Sequence, residues 1–180
     1  MPITPEHIRE IVTEYSDANP AEKAVLSVVL ERLDHGDDLT RRTTCPLHVT
    51  AGAVLVNESG EVLFIRHKAL GKYLTPGGHL EPMDENLMGA ALRELTEETG
   101  IRASIAPLLP DPVHIDVHDI PANEAKGEPA HQHADVRYLF ATTGPVEVRL
   151  QEEEVSASEW RSPDTLADET LRTRVLAALR

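Results

Sequence analysis

The chain is poor in cysteine, aromatic residues and positive charge, and each shortage excludes a class of protein. Cys45 is the single cysteine among 180 residues, so an intramolecular disulfide framework is excluded and a reducing compartment is favoured. Aromatic residues make up only 3% of the chain, which disfavours an enzyme strongly specific for one base. With 17 basic against 31 acidic side chains, the formal net charge is -14, so sequence-independent binding of nucleic acid is not expected.

Long apolar runs are missing as well. The longest, residues 24–30, is interrupted by Ser27 and falls far short of the roughly 20 residues that a membrane helix requires. The N-terminus carries Glu6, Glu10 and Glu14 where a secretory signal would be basic and then apolar. We therefore expect a cytoplasmic protein that binds neither membrane nor nucleic acid.

Two helix-start signals open the chain, because Thr4-Pro5 and Asn19-Pro20 each place a capping residue before a proline. The second predicted helix has one apolar stripe, formed by Val25, Val28, Val29 and Leu33. These signals predict a helical extension over residues 1–44, which offers a surface for a homodimer, and a main domain over residues 45–180.

The main domain alternates strand and helix patterns. Residues 48–56 and 62–65 predict a hairpin, and residues 114–120 and 131–141 predict two later strands. A last helical stretch opens at Ser162. Residues 86–99 predict a helix that ends before Gly100, with one apolar side formed by Leu87, Met88, Ala91, Leu92 and Leu95. This order predicts an α/β fold with a mixed sheet.

Three glutamates of the predicted central helix carry the chemistry. Glu94, Glu97 and Glu98 stand at positions i, i+3 and i+4, so their carboxylates share one edge of the helix. Like charges this close repel one another unless a cation lies among them, and hard oxygen ligands suit Mg²⁺ or Mn²⁺. Such an ion would neutralise a diphosphate and activate an attacking water. The alternative interpretation is a solvated acidic helix face.

Two neighbouring features support a site. Gly77 and Gly78 precede the helix and allow the backbone to approach a charged ligand closely. Arg93 is spaced to pair with Glu97 one turn on, which would hold a ligand carboxylate in place.

This pattern resembles the Nudix box, in which a glycine, a glutamate and the run Arg-Glu-apolar-x-Glu-Glu-x-Gly-apolar follow one another at fixed spacing. Residues 93–101 match that run at every defined position, and seven residues separate Glu85 from Arg93 as the box requires. Six residues rather than five separate Glu85 from Gly78, so either Asp84 or Glu85 fills the place of the first glutamate.

The resemblance covers residues 48–178 and implies a Nudix α/β/α sandwich. It also implies a Mg²⁺- or Mn²⁺-dependent hydrolase that cleaves a diphosphate bond in a nucleoside diphosphate-linked or nucleoside triphosphate substrate. Catalysis would fall to Glu94, Arg93, Glu97 and Glu98, and metal binding to Glu94, Glu97, Glu98, Gly78 and Glu85. The box does not determine which group is attached to the diphosphate. The substrate could be ADP-ribose, an oxidised nucleoside triphosphate, a dinucleoside polyphosphate, a nucleotide sugar or a non-nucleoside diphosphate.

Two predicted strands carry polar side chains on one face, in the patterns His114-x-Asp116-x-His118 and His131-x-His133-x-Asp135. If the strands pair, His131 and His133 could contact substrate phosphates or hold a second metal ion. A solvated or structural face explains the pattern equally well.

Other polar residues are weaker candidates for substrate binding. A basic group consists of Arg66, His67, Lys68 and Lys72. Of these, we predict Arg66 and Lys72 as phosphate contacts. The other predicted substrate contacts near the box are Gly77, Gly78 and His79. The acidic run Glu152-Glu153-Glu154 could supply a further metal ligand or general base, although no signal selects one of the three. For both groups, simple solvation is the competing explanation.

Two rival functions use the same fold. A catalytically silent nucleotide-sensing module would have a damaged glutamate run or a basic DNA-binding extension, whereas residues 1–40 carry three basic against nine acidic side chains. A diphosphate isomerase would need a catalytic cysteine, but Cys45 lies ahead of the first predicted strand and is expected to be a small buried residue. We therefore favour the hydrolase.

Overall fold

The structure is a computed structural model that describes residues 2–102, 104–124 and 127–180. These residues group into two compact units. The first unit comprises the chain up to Ala51 together with His79–Ala90 and Ile115–Val136. The second comprises Gly52–Gly78, Ala91–His114 and Arg137–Arg180.

Two helices begin the first unit. Helix α1 spans Pro5–Ala18, and the Thr4 side chain caps it by accepting a hydrogen bond of 3.2 Å from the His7 backbone N–H. After a 3-10 turn, helix α2 spans Lys23–Asp34. Its buried stripe consists of Leu26, Val29 and Leu33. The predicted inclusion of Val25 is wrong, since that side chain is 56% exposed and spacings of three and four residues align the stripe on Leu26 instead.

Backbone hydrogen bonds tie the N-terminal segment into the first unit. The Ile3 N–H donates to the Asp84 carbonyl at 3.0 Å, and the Val49 N–H donates to the Leu39 carbonyl at 2.9 Å. The predicted division of the chain at residues 44 and 45 remains a prediction.

The strands pair in the order β3-β2-β1-β7-β5, with β4 beside β1, β6 beside β7 and β8 beside β2. Pairs β1–β2, β2–β3, β2–β8 and β5–β7 are antiparallel. The strands are β1 Leu47–Val56, β2 Val62–His67, β3 Lys72–Leu74, β4 Gly77–His79, β5 Ile105–Pro107, β6 His114–Ile120, β7 His131–Thr142 and β8 Val155–Arg161. The predicted α/β class is thereby confirmed, and strands β3, β4, β5 and β8 are additions to the predicted set.

Helix α3 spans Leu87–Thr99, between the predicted signals. The Asn86 side chain accepts a hydrogen bond of 2.7 Å from the Gly89 N–H at its start. At its end Gly100 adopts a positive φ of 69°, which a side chain would disfavour. Leu92 is 38% exposed, so its predicted place on the buried side is wrong.

Helix α4 spans Glu169–Ala178 and contributes to the core of the second unit. That core combines strand and helix side chains, namely Val54, Val56, Val62, Phe64, Val113, Leu139, Leu166, Leu171 and Val175. None of the helices in the described part of the chain has the length and apolar character needed to cross a membrane. Cys45 is exposed, contrary to expectation.

Candidate active site

The second unit contains the glutamate cluster, which we define as Glu94, Glu97 and Glu98 on helix α3. The three are buried to very different extents. Glu98 is only 3% exposed, the Glu94 side chain is 14% exposed, and the Glu97 side chain is 46% exposed. The cluster is therefore no solvated helix face, because two of its three carboxyl groups are withdrawn from water.

The paired glycines pack directly against these carboxyl groups. The Gly77 N–H donates to Glu98 Oε2 at 3.0 Å. A Cβ atom placed on Gly78 would lie 2.6 Å from Glu94 Oε1, a distance that real Cβ contacts do not reach. Gly78 thus leaves the space that the Glu94 carboxyl group occupies, and any side chain there would displace that carboxyl group.

Arg93 pairs with two members of the glutamate cluster, Glu94 and Glu97. Its Nη1 lies 3.0 Å from Glu94 Oε1 and 2.9 Å from Glu97 Oε2, so the pairing with Glu97 that the spacing predicts is present. One guanidinium therefore orients two carboxylates of the cluster.

The electrostatics of the cluster favour a cation. Burial raises the pKa of Glu94 from 4.5 to about 7, and burial raises the pKa of Glu98 to about 8 despite the opposing hydrogen bond from Gly77. Mutual repulsion adds to both shifts. A divalent ion would stabilise the charged forms, and carboxylate oxygens are the ligands that Mg²⁺ and Mn²⁺ prefer.

A loop before β8 lies beside the end of α3. The Arg149 N–H donates to the Thr99 carbonyl at 2.7 Å, and the Gln151 N–H donates to the Glu98 carbonyl at 3.3 Å. Within the run Glu152-Glu153-Glu154, the charge of Glu154 contributes to the raised pKa of both Glu94 and Glu98. The tertiary structure thus distinguishes Glu154, which no signal in the sequence singles out.

Lys68 is hydrogen-bonded to the backbone of this acidic loop. Its N–H donates to the Glu154 carbonyl at 2.8 Å, and its ammonium group donates to the Glu152 carbonyl. Lys68 therefore contacts backbone oxygens of the loop, a role that its place in a basic run did not predict.

Asp84 and Glu85 differ in their surroundings within the first unit. Asp84 is 6% exposed, and its Oδ2 accepts a hydrogen bond of 2.7 Å from the Glu81 N–H, which shapes the loop before α3. Glu85 is exposed. Which of the two fills the first-glutamate role remains a prediction.

The basic group lies on strands β2 and β3, with Arg66 opposite Tyr73 and His67 opposite Lys72. Arg66 and Lys72 are both exposed, as a phosphate contact would require. The Tyr73 hydroxyl group donates to Glu159 at 2.5 Å, and the Arg161 guanidinium lies 3.9 Å from the centre of the Tyr73 ring. One face of that ring is therefore already covered.

The first unit contains a second group of polar side chains, which we call the histidine cluster: His48, His79, His131 and His133. The His48 ring centre lies 4.9 Å from that of His131, 4.6 Å from that of His133 and 5.1 Å from that of His79. His118 adjoins the cluster at 5.8 Å from His133 and pairs with Asp116 at 2.7 Å. The two strand patterns thus do bring histidines together, and His48 joins them without any signal in its local sequence.

His114 has different neighbours, in the second unit. Arg174 Nη1 lies 3.3 Å from its Nδ1, and Asp168 Oδ1 lies 3.4 Å from its Nε2. These contacts fit a structural role for a buried imidazole.

The chain is similar in sequence and in fold to known proteins of one family. A family model described as the NUDIX domain matches residues 46–179. The chain is 33% identical over 153 residues to a probable DHNTP pyrophosphohydrolase of Lactococcus lactis subsp. cremoris (strain MG1363), which covers 84% of this chain and 81% of that protein. It is 31% identical over 141 residues to a MutT-like protein of Streptomyces ambofaciens, covering 76% and 80%. Among solved structures, a C. elegans Ap4A hydrolase in a binary complex aligns with a TM-score of 0.56 at 20% identity, covering 73% of this chain and 96% of that one.

Proposed function

Because the chain belongs to the Nudix family, it is a hydrolase of diphosphate bonds in nucleotide-type substrates, and we propose that the glutamate cluster is its catalytic centre. The observation that carries this proposal is the burial of Glu94 and Glu98 against Gly78 and Gly77. Buried carboxyl groups with raised pKa values destabilise the fold, so their presence together points to a function.

The residues present fit a divalent metal ion, and we propose Mg²⁺ or Mn²⁺. Glu94, Glu97 and Glu98 would hold it, with the carbonyl of Gly78 as a further oxygen donor, and Glu85 remains a predicted ligand. The bound ion would supply charge neutralisation on the diphosphate and would make a neighbouring water more acidic. Arg93 keeps Glu94 and Glu97 in position, and the Gly77 N–H does the same for Glu98.

A proton must leave the attacking water, and a carboxylate of the site is the natural acceptor. Glu94 is one candidate, because Arg93 holds its carboxyl group in position beside Glu97. Glu154 is the loop alternative, because its charge acts on both buried glutamates. Glu154→Gln separates the two: a modest loss of turnover assigns the proton to Glu94, and a loss of several orders of magnitude assigns it to Glu154.

For the substrate, we propose a triphosphate-type compound, and DHNTP is the first to test. Support comes from the Lactococcus lactis relative, whose name assigns it a pyrophosphohydrolase activity on DHNTP. Arg66 and Lys72 are exposed cations suited to terminal phosphates. His79, His131 and His133 remain predicted substrate contacts, although the low pKa of His79 and His133 weakens them as cationic partners of phosphate.

The test separates the reaction products by anion-exchange chromatography for a panel of DHNTP, nucleoside triphosphates, ADP-ribose, dinucleoside polyphosphates and nucleotide sugars. Each compound is incubated with Mg²⁺, with Mn²⁺ and with chelator. We expect metal-dependent release of pyrophosphate from DHNTP or a nucleoside triphosphate. Cleavage of ADP-ribose or a nucleotide sugar alone, each into two monophosphates, would overturn the substrate proposal, and cleavage that survives chelation would overturn the metal proposal.

A further inference from the structure

The histidine cluster has the geometry of a metal site made of nitrogen ligands. Ring nitrogens of His48, His79 and His133 all lie within 4.8 Å of one another. The rings of His79 and His133 meet edge to face at 5.1 Å between centres. All of these residues belong to the first unit, and none is part of the glutamate cluster.

His48 has one ring nitrogen that is buried and free of hydrogen bonds. The residue is 1% exposed, and its Nδ1 lies 3.0 Å from the Thr44 carbonyl oxygen, to which it must donate. The lone pair of the neutral ring is then on Nε2, which has no hydrogen-bond partner in the structure. Metal-binding histidines show the same arrangement, in which one ring N–H donates to a carbonyl and the other nitrogen binds the ion.

His131 shares the carbonyl contact of this pattern, while its other ring nitrogen faces His133. Its Nδ1 lies 2.8 Å from the Pro129 carbonyl oxygen, and its Nε2 lies 3.1 Å from Nε2 of His133. In a tetrahedral zinc site with Zn–N bonds of about 2.0–2.1 Å, neighbouring nitrogens are about 3.4 Å apart. The spacing of these two nitrogens is therefore close to that of two ligands of one ion.

The charge state of the cluster favours a metal over an anion. Burial lowers the pKa of His79 to about 4 and that of His133 to about 3, and it also lowers the pKa of His48. The imidazoles of His48, His79 and His133 are therefore neutral near pH 7. Neutral imidazole binds Zn²⁺, Cu²⁺ and Ni²⁺ well, whereas phosphate requires the protonated ring.

We propose that His48, His79 and His133 bind a divalent transition-metal ion of the Zn²⁺ type, with His131 beside them as a fourth imidazole. This site is chemically distinct from the Mg²⁺ site proposed on the glutamates. The ion would fix the end of strand β4, because His79 is its last residue and directly follows Gly78. The inference does not depend on the proposed hydrolysis.

The test measures metal binding directly, on the full chain without an affinity tag and in excess Mg²⁺ to fill the carboxylate site. Co²⁺ is titrated and followed by its visible absorption, and Zn²⁺ affinity is measured by competition with a chromophoric chelator. We expect one Co²⁺ per chain with the intense bands of a four-coordinate nitrogen site. Absence of such bands in the unaltered chain would overturn the proposal.

Substitutions then locate the ligands. Loss of a supporting residue commonly costs 10–100-fold in metal affinity, so His79→Gln and His133→Gln should each weaken Zn²⁺ binding by about 100-fold or more. His35→Gln is the matched control, since His35 is exposed and lies at the end of α2. Glu98→Gln should leave the Co²⁺ bands unchanged. Equal Zn²⁺ affinity in the two cluster variants and the control, or loss of the bands in Glu98→Gln, would contradict the assignment.

Discussion

The glutamate cluster and the histidine cluster are both buried groups of like residues, but burial affects their readiness for metal in opposite ways. Burial raises the pKa of Glu94 and Glu98, so a proton must leave before either carboxylate binds an ion. Burial lowers the pKa of His79 and His133, so these rings are already in their metal-binding form at neutral pH. The same desolvation therefore makes one proposed site sensitive to pH around 7 to 8 and the other insensitive there.

The largest expected effect is on catalysis. Glu98→Gln removes a charge from the glutamate cluster while preserving shape, so turnover should fall by orders of magnitude without loss of the fold. Turnover is measured on the best compound of the panel, and circular dichroism confirms folding. Glu31→Gln, which changes an exposed glutamate of α2, should retain full activity. Near-normal turnover in folded Glu98→Gln would remove the central role of the cluster.

A smaller effect is expected from Gly78→Ala. The new methyl group would meet the Glu94 carboxyl group at 2.6 Å, and the side chain would have to turn away from its present position. We expect Mg²⁺ affinity to drop by about 10–100-fold with little change in stability, as for other disturbed metal ligands. Gly144→Ala is the control, because a Cβ there meets Ser104 Oγ at an ordinary 3.6 Å. Equal Mg²⁺ affinities in the two variants would show that the close approach is unimportant.

The pH dependence of stability tests the opposite pKa shifts. The native Glu98 carboxyl group holds its proton more tightly than the unfolded chain does, so its contribution to stability is present below pH 4.5 and is lost as pH rises to about 8. In chelator, the free energy of unfolding of Glu98→Gln should therefore rise relative to that of the unaltered chain by about 4 kcal/mol between pH 5 and about 8.5. Denaturant titration at several pH values measures the gain. A constant difference across that range would mean that the pKa of Glu98 is ordinary.

For His133→Gln the sign reverses. The native His133 ring resists protonation, so the unaltered chain loses stability as pH falls below 6.5. The free energy of unfolding of the variant should therefore rise relative to that of the unaltered chain as the pH is lowered. The same denaturant titrations apply, carried out between pH 7 and 5 without metal. A gain that appears on the alkaline side instead would contradict the contrast between the clusters.

The smallest effect concerns the helix that carries the glutamates. Asn86→Ala removes the cap on the Gly89 N–H and should cost about 1 kcal/mol of stability, whereas Asn86→Ser should recover most of it. Because the cap lies at the far end of α3 from Glu98, Mg²⁺ affinity should not change. A large loss of Mg²⁺ affinity would show that the glutamate cluster depends on the whole helix.

The parts of the protein that were predicted correctly are those in which neighbours in sequence are neighbours in space. A helix period brings Arg93 beside Glu97, and a capping residue or a C-terminal glycine marks a boundary where it stands, as at Thr4 and Gly100. The errors at Val25 and Leu92 concern which side of a helix faces the core. That choice depends on the surface against which the helix packs, so local spacing alone cannot make it.

The sequence by itself determined the family and the α/β class, and it placed Glu94, Glu97 and Glu98 on one edge of a helix, because short-range spacing decides which side chains of a helix are neighbours. Only the tertiary structure decided that Glu98 is buried while Glu97 is not. It also decided that the charge of Glu154 raises the pKa of Glu98, and that the rings of His48 and His133 are in contact. Each of these depends on packing between segments distant in the chain. The register and folding of strands set such contacts, and no local pattern of residues encodes them.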